Sequence, residues 1–413
     1  MAQVSASVPA SAAASSPRPL ERPLAARTKR ISVSATAAMV IEADRLRAEG
    51  RDLVDFGVGE PDFPTPAHIT EAAITALRQN VTKYTATGGT RELREAIVQS
   101  HHRELGSDYK VPECLATMGG KHALFNAISV LVDHGDEVIL PAPYWVSFYD
   151  QITYAGGTPV VVQTDEAQGF GLSLAALEAA ITARTKVILL NSPSNPSGAI
   201  FTPDTFRAVL EICKTRGIWL LSDECYVKFL YDAAPYSVAS EPGSKDFVVI
   251  AGSLSKTYAM TGWRLGFALA PAPIVKAMIN LQSHSTSNPT AFVQKGALAA
   301  LNGTQAPVAE MLAEYRRRRA IIVSGLRAIP GVTCVMPAGA FYAYPNISRL
   351  LGGKGHPATA MEFSTRLLQE AGVVTVPGEA FGTAHHLRFS YAAAVPVIEE
   401  GLRRFAGFCS QLS

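Results

Sequence analysis

The sequence predicts an α/β fold with a mostly parallel central sheet flanked by helices. A smaller α+β domain is expected from both chain ends. Two observations carry this reading. First, apolar strand-like runs recur at 137–140, 158–162, 186–190, 218–221, 247–251 and 265–270. Most of the intervals hold helix-like segments such as 121–131, 174–181 and 205–215. Second, these runs are continuously apolar, as in strands covered by helices on both faces, not alternating as in half-solvated ones. Beyond residue 335 the rhythm changes, with strands expected at 339–344, 373–376 and 386–391.

The ends complete the smaller domain. Residues 34–50 read as a helix closed by Gly50, 52–58 as a short strand, and Gly59-Glu60-Pro61-Asp62-Phe63-Pro64 as a turn-rich connector. Residues 1–30 differ in being rich in Ala, Ser and Pro. They set Arg18, Arg22, Arg27, Lys29 and Arg30 against a single acid, Glu21. That composition suits a disordered tail or an import segment, and it lacks the apolar stretch of a secretory signal. The expected division is 1–30 as tail, 31–66 with 336–413 as the small domain, and 67–335 as the large, ligand-binding one.

Composition excludes several classes. Of 413 residues nearly half are apolar and 17% charged, a globular balance, and a net charge of +2 gives no reason to expect nucleic acid. No apolar run is long enough to cross a bilayer. The five cysteines Cys114, Cys213, Cys225, Cys334 and Cys409 are dispersed without CxxC pairing, which suits reduced thiols in a cytoplasm. Organellar import through the N-terminal segment is the alternative. The pairs His101-His102 and His385-His386 lack metal-like spacing and read as surface residues, so no metal is expected. The run Arg316-Arg317-Arg318-Arg319 reads as a solvated helix face.

In open α/β sheets ligands sit at the carboxyl ends of the strands. The residues that follow each strand are therefore the first candidates. They are Pro141-Ala142-Pro143-Tyr144-Trp145, Asn191-Ser192-Pro193-Ser194-Asn195-Pro196, Ser222-Asp223-Glu224 and Gly252-Ser253-Leu254-Ser255-Lys256. Gly119-Gly120 precedes the helix 121–131, a natural anion cradle. One rim thus offers an aromatic ring, an amide, a carboxylate, hydroxyls and a lysine. Pyridoxal 5'-phosphate (PLP) chemistry asks for this set. A lysine amine meets the aldehyde, a carboxylate keeps the ring nitrogen protonated, an aromatic side chain stacks, and Arg264, eight residues past Lys256, turns back to the phosphate.

Five stretches are similar to those of class I aminotransferases of PLP fold type I: Gly59-Glu60-Pro61-Asp62-Phe63, Lys83-Tyr84-Thr85, Asn195-Pro196-Ser197-Gly198, Ser253-Leu254-Ser255-Lys256 and Gly262-Trp263-Arg264. The resemblance runs from about Ile31 to the C-terminus with the motifs in family order. Gly119-Gly120-Lys121 and Pro143-Tyr144-Trp145-Val146-Ser147 resemble the bacterial branch of aspartate and aspartate/prephenate aminotransferases. The resemblance implies that Lys256 is the cofactor-bound lysine and proton shuttle, and that Asp223 pairs with the ring nitrogen. It implies that Tyr226 and Asn195 hold the ring hydroxyl and that Trp145 stacks on the ring. Gly119, Gly120, Lys121, Ser253, Ser255 and Arg264 would surround the phosphate. Tyr84 would reach the phosphate of a partner subunit, which makes a homodimer with shared sites. Arg388 would grip the substrate α-carboxylate, and Gly59 would let backbone approach the substrate. Lys121, Ser34 and Thr36 would bind a distal carboxylate, favouring aspartate and glutamate with oxaloacetate and 2-oxoglutarate.

Two departures bear on this. Many prephenate-using members carry Lys-Pro where this chain has Ser32-Val33, which removes a cation. Ser253-Leu254-Ser255 replaces small apolar residues before the lysine and adds hydroxyls.

Other readings are weaker. Ser253-Leu254-Ser255-Lys256 also fits the SxxK pattern of serine β-lactamases, but no KTG follows. A regulator descended from this fold would be expected to lose Lys256, Asp223 or Arg388, and all three are present. A decarboxylase or aldolase of the same fold remains an alternative, as does an aminotransferase for apolar or aromatic amino acids. By residue type alone Lys121 is a surface residue at a helix start, Asp223 a helix cap, and Trp145 and Cys225 packing.

Overall fold

The computed structural model describes residues 23–31 and 35–412. Its twelve strands among these residues are, in chain order, β1 (Val54–Asp55), β2 (Cys114–Thr117), β3 (Glu137–Ala142), β4 (Thr158–Gln163), β5 (Thr185–Asn191), β6 (Trp219–Asp223), β7 (Val248–Ser253), β8 (Gly266–Leu269), β9 (Tyr342–Ala343), β10 (Val373–Val374), β11 (Val376–Pro377) and β12 (Leu387–Ser390). Seven of them form one sheet in the order β2-β8-β7-β6-β5-β3-β4, parallel throughout except for β8.

Successive strand residues point to opposite faces, and here both faces are buried. Val138, Leu140, Val187, Leu189, Leu221 and Val249 pack into one apolar cluster, while Ile139, Ile188, Leu190, Leu220, Val248 and Ile250 pack into another. Each such side chain contributes about 1.5–3 kcal/mol of burial. This double covering is why the strands read as continuous apolar runs. Only the edge strand β4 is substantially exposed, with Val161 37% accessible.

The helix Pro203–Arg216 shows how the connections are written. The Thr202 hydroxyl accepts from Thr205 N at 3.2 Å, Pro203 and Asp204 open the first turn, Lys214 and Arg216 close the last, and Gly217 ends it at φ +67°. Such crossovers keep β5, β6 and β7 parallel and in register, so that Asn191 lies opposite Asp223 and Asp223 opposite Ala251. The carboxyl ends of these strands therefore share one edge.

The two chain ends meet in small sheets. β1 pairs in parallel with β10, and β11-β12-β9 form an antiparallel sheet. Ser390 N donates to Phe56 O at 2.8 Å, tying the segment before Gly59 to the strand that carries Arg388. The structure differs from expectation in several places. The helix read at 34–50 is Ala35–Ala48. The strand expected at 373–376 is two strands, because Val374 faces β1 whereas Val376 faces β12. The strand expected at 339–344 shrinks to β9. Strand β2, only four residues long, has no counterpart in the sequence reading. Of the presumed tail, 1–22 lie outside the described residues, but Ala26–Arg30 forms a 3-10 turn whose Arg30 O accepts from Thr153 Oγ1 at 3.2 Å.

Three surface assignments are corrected. His101 is 5% exposed, with Nε2 2.9 Å from Glu224 Oε2 and Nδ1 2.7 Å from Ser107 Oγ. His386 is buried, stacked on Tyr344 with Nε2 3.2 Å from Glu166 Oε2. Arg318 is 5% exposed and bonds Asp62 and Glu314 at 2.8 Å, so the arginine run anchors the connector that follows Gly59. Arg316 and Arg317 remain exposed. None of the five cysteines is bonded to another. No helix among the described residues is long and apolar enough to cross a membrane, and no metal-binding cluster is present among them.

Gly266 is required by close packing. A Cβ there would lie 2.5 Å from the carbonyl carbon of Gly119, and backbone cannot yield as a side-chain tip can. Gly266→Ala is expected to cost about 1–3 kcal/mol and to lower the melting temperature by several degrees. Gly262→Ala, where a Cβ meets nothing within 4 Å, is the control. Equal melting temperatures for the two variants would exclude the crowding.

Candidate active site

A cleft of about 460 Å³ opens at the shared strand edge, within the range of small-molecule sites. Gly59, Gly120, Lys121, Trp145, Asn195, Asp223, Tyr226, Ser253, Ser255, Lys256, Arg264 and Arg388 all line it. Elements far apart in sequence thus bring together nearly every residue singled out above.

Asp223 ends β6 in the middle of the sheet and is 5% exposed. Its Oδ1 accepts from Cys225 N at 3.0 Å. Burial nevertheless dominates and pushes its pKa up to about 7. Lys256 follows β7 and donates to Gly59 O at 2.6 Å. Burial lowers its pKa, the direction that frees an amine for nucleophilic work.

Gly119 and Gly120 begin the helix Gly120–Leu131. A Cβ on Gly119 would lie 2.5 Å from the Arg264 guanidinium, and one on Gly120 would lie 2.9 Å from Ser253 Cβ. Both glycines therefore hold open a cradle whose walls are a helix N-terminus, a hydroxyl and a guanidinium. Arg264 sits at φ +55° and donates from Nη1 to Thr261 O at 2.8 Å, which turns its side chain back over the loop. Ser253 Oγ accepts from Ser255 N at 3.1 Å.

Trp145 is half-buried at the cleft wall. Lys121 is exposed as a residue, yet its ammonium lies 4.9 Å from the centroid of the Trp145 ring. Burial of that end, then the nearby Arg264 charge, lower the Lys121 pKa.

On the opposite wall Arg388, from β12, is 4% exposed. It donates from Nη1 to Asn195 Oδ1 at 3.1 Å and from Nη2 to Gly57 O at 2.6 Å, while its Nε has no partner among the described residues. Its guanidinium carbon lies 4.9 Å from the Tyr342 ring and 5.2 Å from Phe381. A buried cation with an unused donor suits an incoming carboxylate. Gly59 is held bare by the same neighbours, since a Cβ there would come within 2.9 Å of Tyr342 OH.

Some expectations fall elsewhere. Tyr84 is 91% exposed and does not line this chain's own cleft. Ser34, Ser32 and Val33 lie outside the described residues, and Thr36 is described only as part of the helix Ala35–Ala48. Cys225 lines the cleft, although burial pushes its thiol up to about 12, which leaves it unreactive. Asn191 and Tyr342 also line the cleft; neither was assigned a role from the sequence, although Asn191 stood among the strand-end candidates. Asn191, the last residue of β5, bonds Asn195 N at 2.9 Å. Tyr342 bonds Tyr226 OH at 2.7 Å. Asn191 was accessible to the rule that residues at strand ends line ligands. Tyr342, inside an aromatic run, gave no such signal.

The raised Asp223 pKa has a consequence for stability. A buried carboxyl that stays protonated up to pH 7 opposes folding once the unfolded chain ionises, near pH 4. Stability is therefore lost as pH rises from about 4 to about 7. Cofactor-free Asp223→Asn should lack this loss, so its melting temperature should exceed the parent's by a margin that widens between pH 5 and 7.5. A constant margin would show that the carboxyl is already ionised across that range.

Three comparisons bear on the cleft. The profile of the family "Aminotransferase class I and II" matches residues 51–405. An aspartate aminotransferase of Geobacillus stearothermophilus is 44% identical over 93% of this chain and 98% of its own length. An aspartate/prephenate aminotransferase of Cereibacter sphaeroides is 43% identical over 93% and 98%. The crystal structure of the Rhizobium meliloti aspartate aminotransferase superposes with a TM-score of 0.91 at 41% identity, covering 95% of this chain and 100% of that one. That of Thermus thermophilus with maleate gives 0.89 at 38%, covering 94% and 99%. The chain belongs to the class I and II aminotransferases, PLP-dependent enzymes of fold type I.

Proposed function

We propose that this enzyme is an aspartate aminotransferase, moving the amino group between L-aspartate or L-glutamate and 2-oxoglutarate or oxaloacetate in two alternating half-reactions. The observation that carries the reading is the convergence of Lys256, Asp223, Arg388 and Lys121 on one cleft. The names of the similar enzymes support it.

The cleft fits PLP. The bare Gly119-Gly120 turn, Ser253, Ser255 and Arg264 form an anion cradle at a helix N-terminus. Asp223 would meet a cationic ring nitrogen, Trp145 would stack on the ring face, and Tyr226 with Asn195 would hold the ring hydroxyl. When bound, PLP supplies an aldehyde for the substrate amine and a ring that accepts electrons from the α-carbon.

This chain's residues do the rest. Arg388 takes the α-carboxylate with its spare donor and fixes which α-bond faces the ring. Lys256, whose Nζ donates to Gly59 O in this structure, would hold the cofactor aldehyde until the substrate amine displaces it, and its freed Nζ would then carry the α-proton to the cofactor carbon beside the ring. Asp223 would keep the proton on the cofactor's ring nitrogen, and the positive charge there would in turn favour the carboxylate over the protonated acid. Lys121 meets the distal carboxylate, with Ser34 and Thr36 assigned to the same anion. Tyr84, exposed here, is assigned to the cleft of a second copy, so the working unit is a homodimer with shared sites. Residues 67–335 are assigned to the cofactor-holding body, and 31–66 with 336–413 to the body that grips the substrate. A cytoplasmic setting accords with five cysteines that form no disulfide.

Half-reactions with single amino acids test the reading, followed by the absorbance change of the bound cofactor. Aspartate and glutamate should convert it fast, and Lys256→Ala should abolish both the spectral change and turnover. Lys121→Ala should raise KM for aspartate and glutamate about tenfold or more, the loss of a charge-assisted bond, and leave alanine unchanged. Conversion by apolar or aromatic donors alone would discard the dicarboxylate assignment. Oxaloacetate and prephenate, offered as acceptors, separate the two kinds of relative found above.

A further inference from the structure

Tyr342 is buried at the junction of the cleft's two walls. Its hydroxyl is 2.7 Å from Tyr226 OH, and no other polar partner of that hydroxyl occurs among the described hydrogen bonds. Its ring lies 4.9 Å from the Arg388 guanidinium carbon. It also sets the close approach that only Gly59 permits, and Gly59 O holds Lys256. One side chain thus touches the partner of the cofactor hydroxyl, the partner of the α-carboxylate and the backbone that parks the lysine.

We infer that Tyr342 is a positioning residue that couples the cofactor side of the cleft to the carboxylate side. The inference rests on the roles proposed above for Tyr226 and Arg388. Proton counting gives the direction of the hydrogen bond. Tyr226 has one hydroxyl proton. If it donates that proton to the cofactor's ring oxygen, it can only accept from Tyr342. Tyr342 is then the donor, and its bond polarises Tyr226 into a stronger donor towards an anionic oxygen. Its ring meanwhile backs the guanidinium face and keeps the Arg388 donors in the plane of the incoming carboxylate.

The two contacts separate by substitution. Tyr342→Phe keeps the ring and removes the donor. In the holoenzyme without substrate, the midpoint of the cofactor's absorbance change with pH should rise by about half a unit or more, because the anionic form loses hydrogen-bond support. KM for aspartate, glutamate and alanine should change less than about twofold, because the cation–π contact survives. The neighbouring ionisable groups Arg388, Cys225, Lys256 and Glu60 are the same in both proteins. Tyr342→Leu removes the ring as well. KM for all three amino acids should then rise together, about thirtyfold, the loss expected for a desolvated cation–π contact, with kcat falling less. Should Tyr342→Leu fail to fold, the near-isosteric phenylalanine variant still decides the coupling.

Tyr226→Phe is the reference. A midpoint that moves in Tyr226→Phe but not in Tyr342→Phe overturns the coupling and leaves the site assignment intact. A midpoint that moves in neither overturns both.

Discussion

A carboxyl buried at the end of the central strand β6 is the constraint around which this molecule is arranged. Among the described hydrogen bonds the Asp223 carboxyl accepts from one backbone donor, Cys225 N, and burial, with the neighbouring Glu224 charge, lifts its pKa to about 7. A group so placed opposes folding unless a cation reaches it. A protonated ring nitrogen is such a cation, and the low dielectric that penalises the lone carboxyl strengthens the pair. Holding the carboxyl there requires neighbours in register on both sides. Those neighbours, β5 and β7, deliver Asn191 and Ser253 to the same edge, and Lys256 follows in the next turn. The apolar covering of both sheet faces fixes that register.

The substrate side is built differently. Arg388 comes from a short strand whose neighbours include both chain ends, and its position depends on contacts made one residue at a time. They are the Gly57 carbonyl, the Asn195 amide and two aromatic rings. The connector beyond Gly59 is fastened by the ion pair between buried Arg318 and exposed Asp62. Lys256, bonded to Gly59 O, crosses from one wall to the other. Cofactor chemistry and carboxylate recognition therefore meet at bare backbone, where a side chain on Gly59 would strike Tyr342.

This difference explains what could be read from the chain. The long strands were legible to within a residue or two, because double burial writes a continuous apolar run. The two-residue strands β1, β9, β10 and β11 carry no periodicity, and their boundaries were misjudged. Asp223, Ser253 and Lys256 were legible because each ends or follows a strand. Tyr342 was not, since a tyrosine beside Phe341 and Tyr344 reads as packing. His101 was misread with His102 because neighbouring helix residues point about 100° apart: one faces the core and its Glu224 partner, the other faces outward. The same geometry separates buried Arg318 from exposed Arg316 and Arg317.

The lysine assigned to substrate choice sits where a cation is least comfortable. Lys121 occupies the first turn of the helix Gly120–Leu131, at the positive end of its dipole, and burial of its ammonium end, then the nearby Arg264 charge, lower its pKa. Among the described residues, Trp145 gives the Lys121 ammonium a π-face. An anion arriving there gains from three sources at once: the ammonium, the helix terminus and relief of the repulsion between two cations. On the proposed reading the cofactor phosphate neutralises the Arg264 side and a second substrate carboxylate the Lys121 side. An amino acid with an apolar side chain would displace water from Lys121 and put nothing charged in its place. The preference for dicarboxylates then comes as much from the unfavourable placement of a lysine beside Arg264 and a helix N-terminus as from the bond it forms.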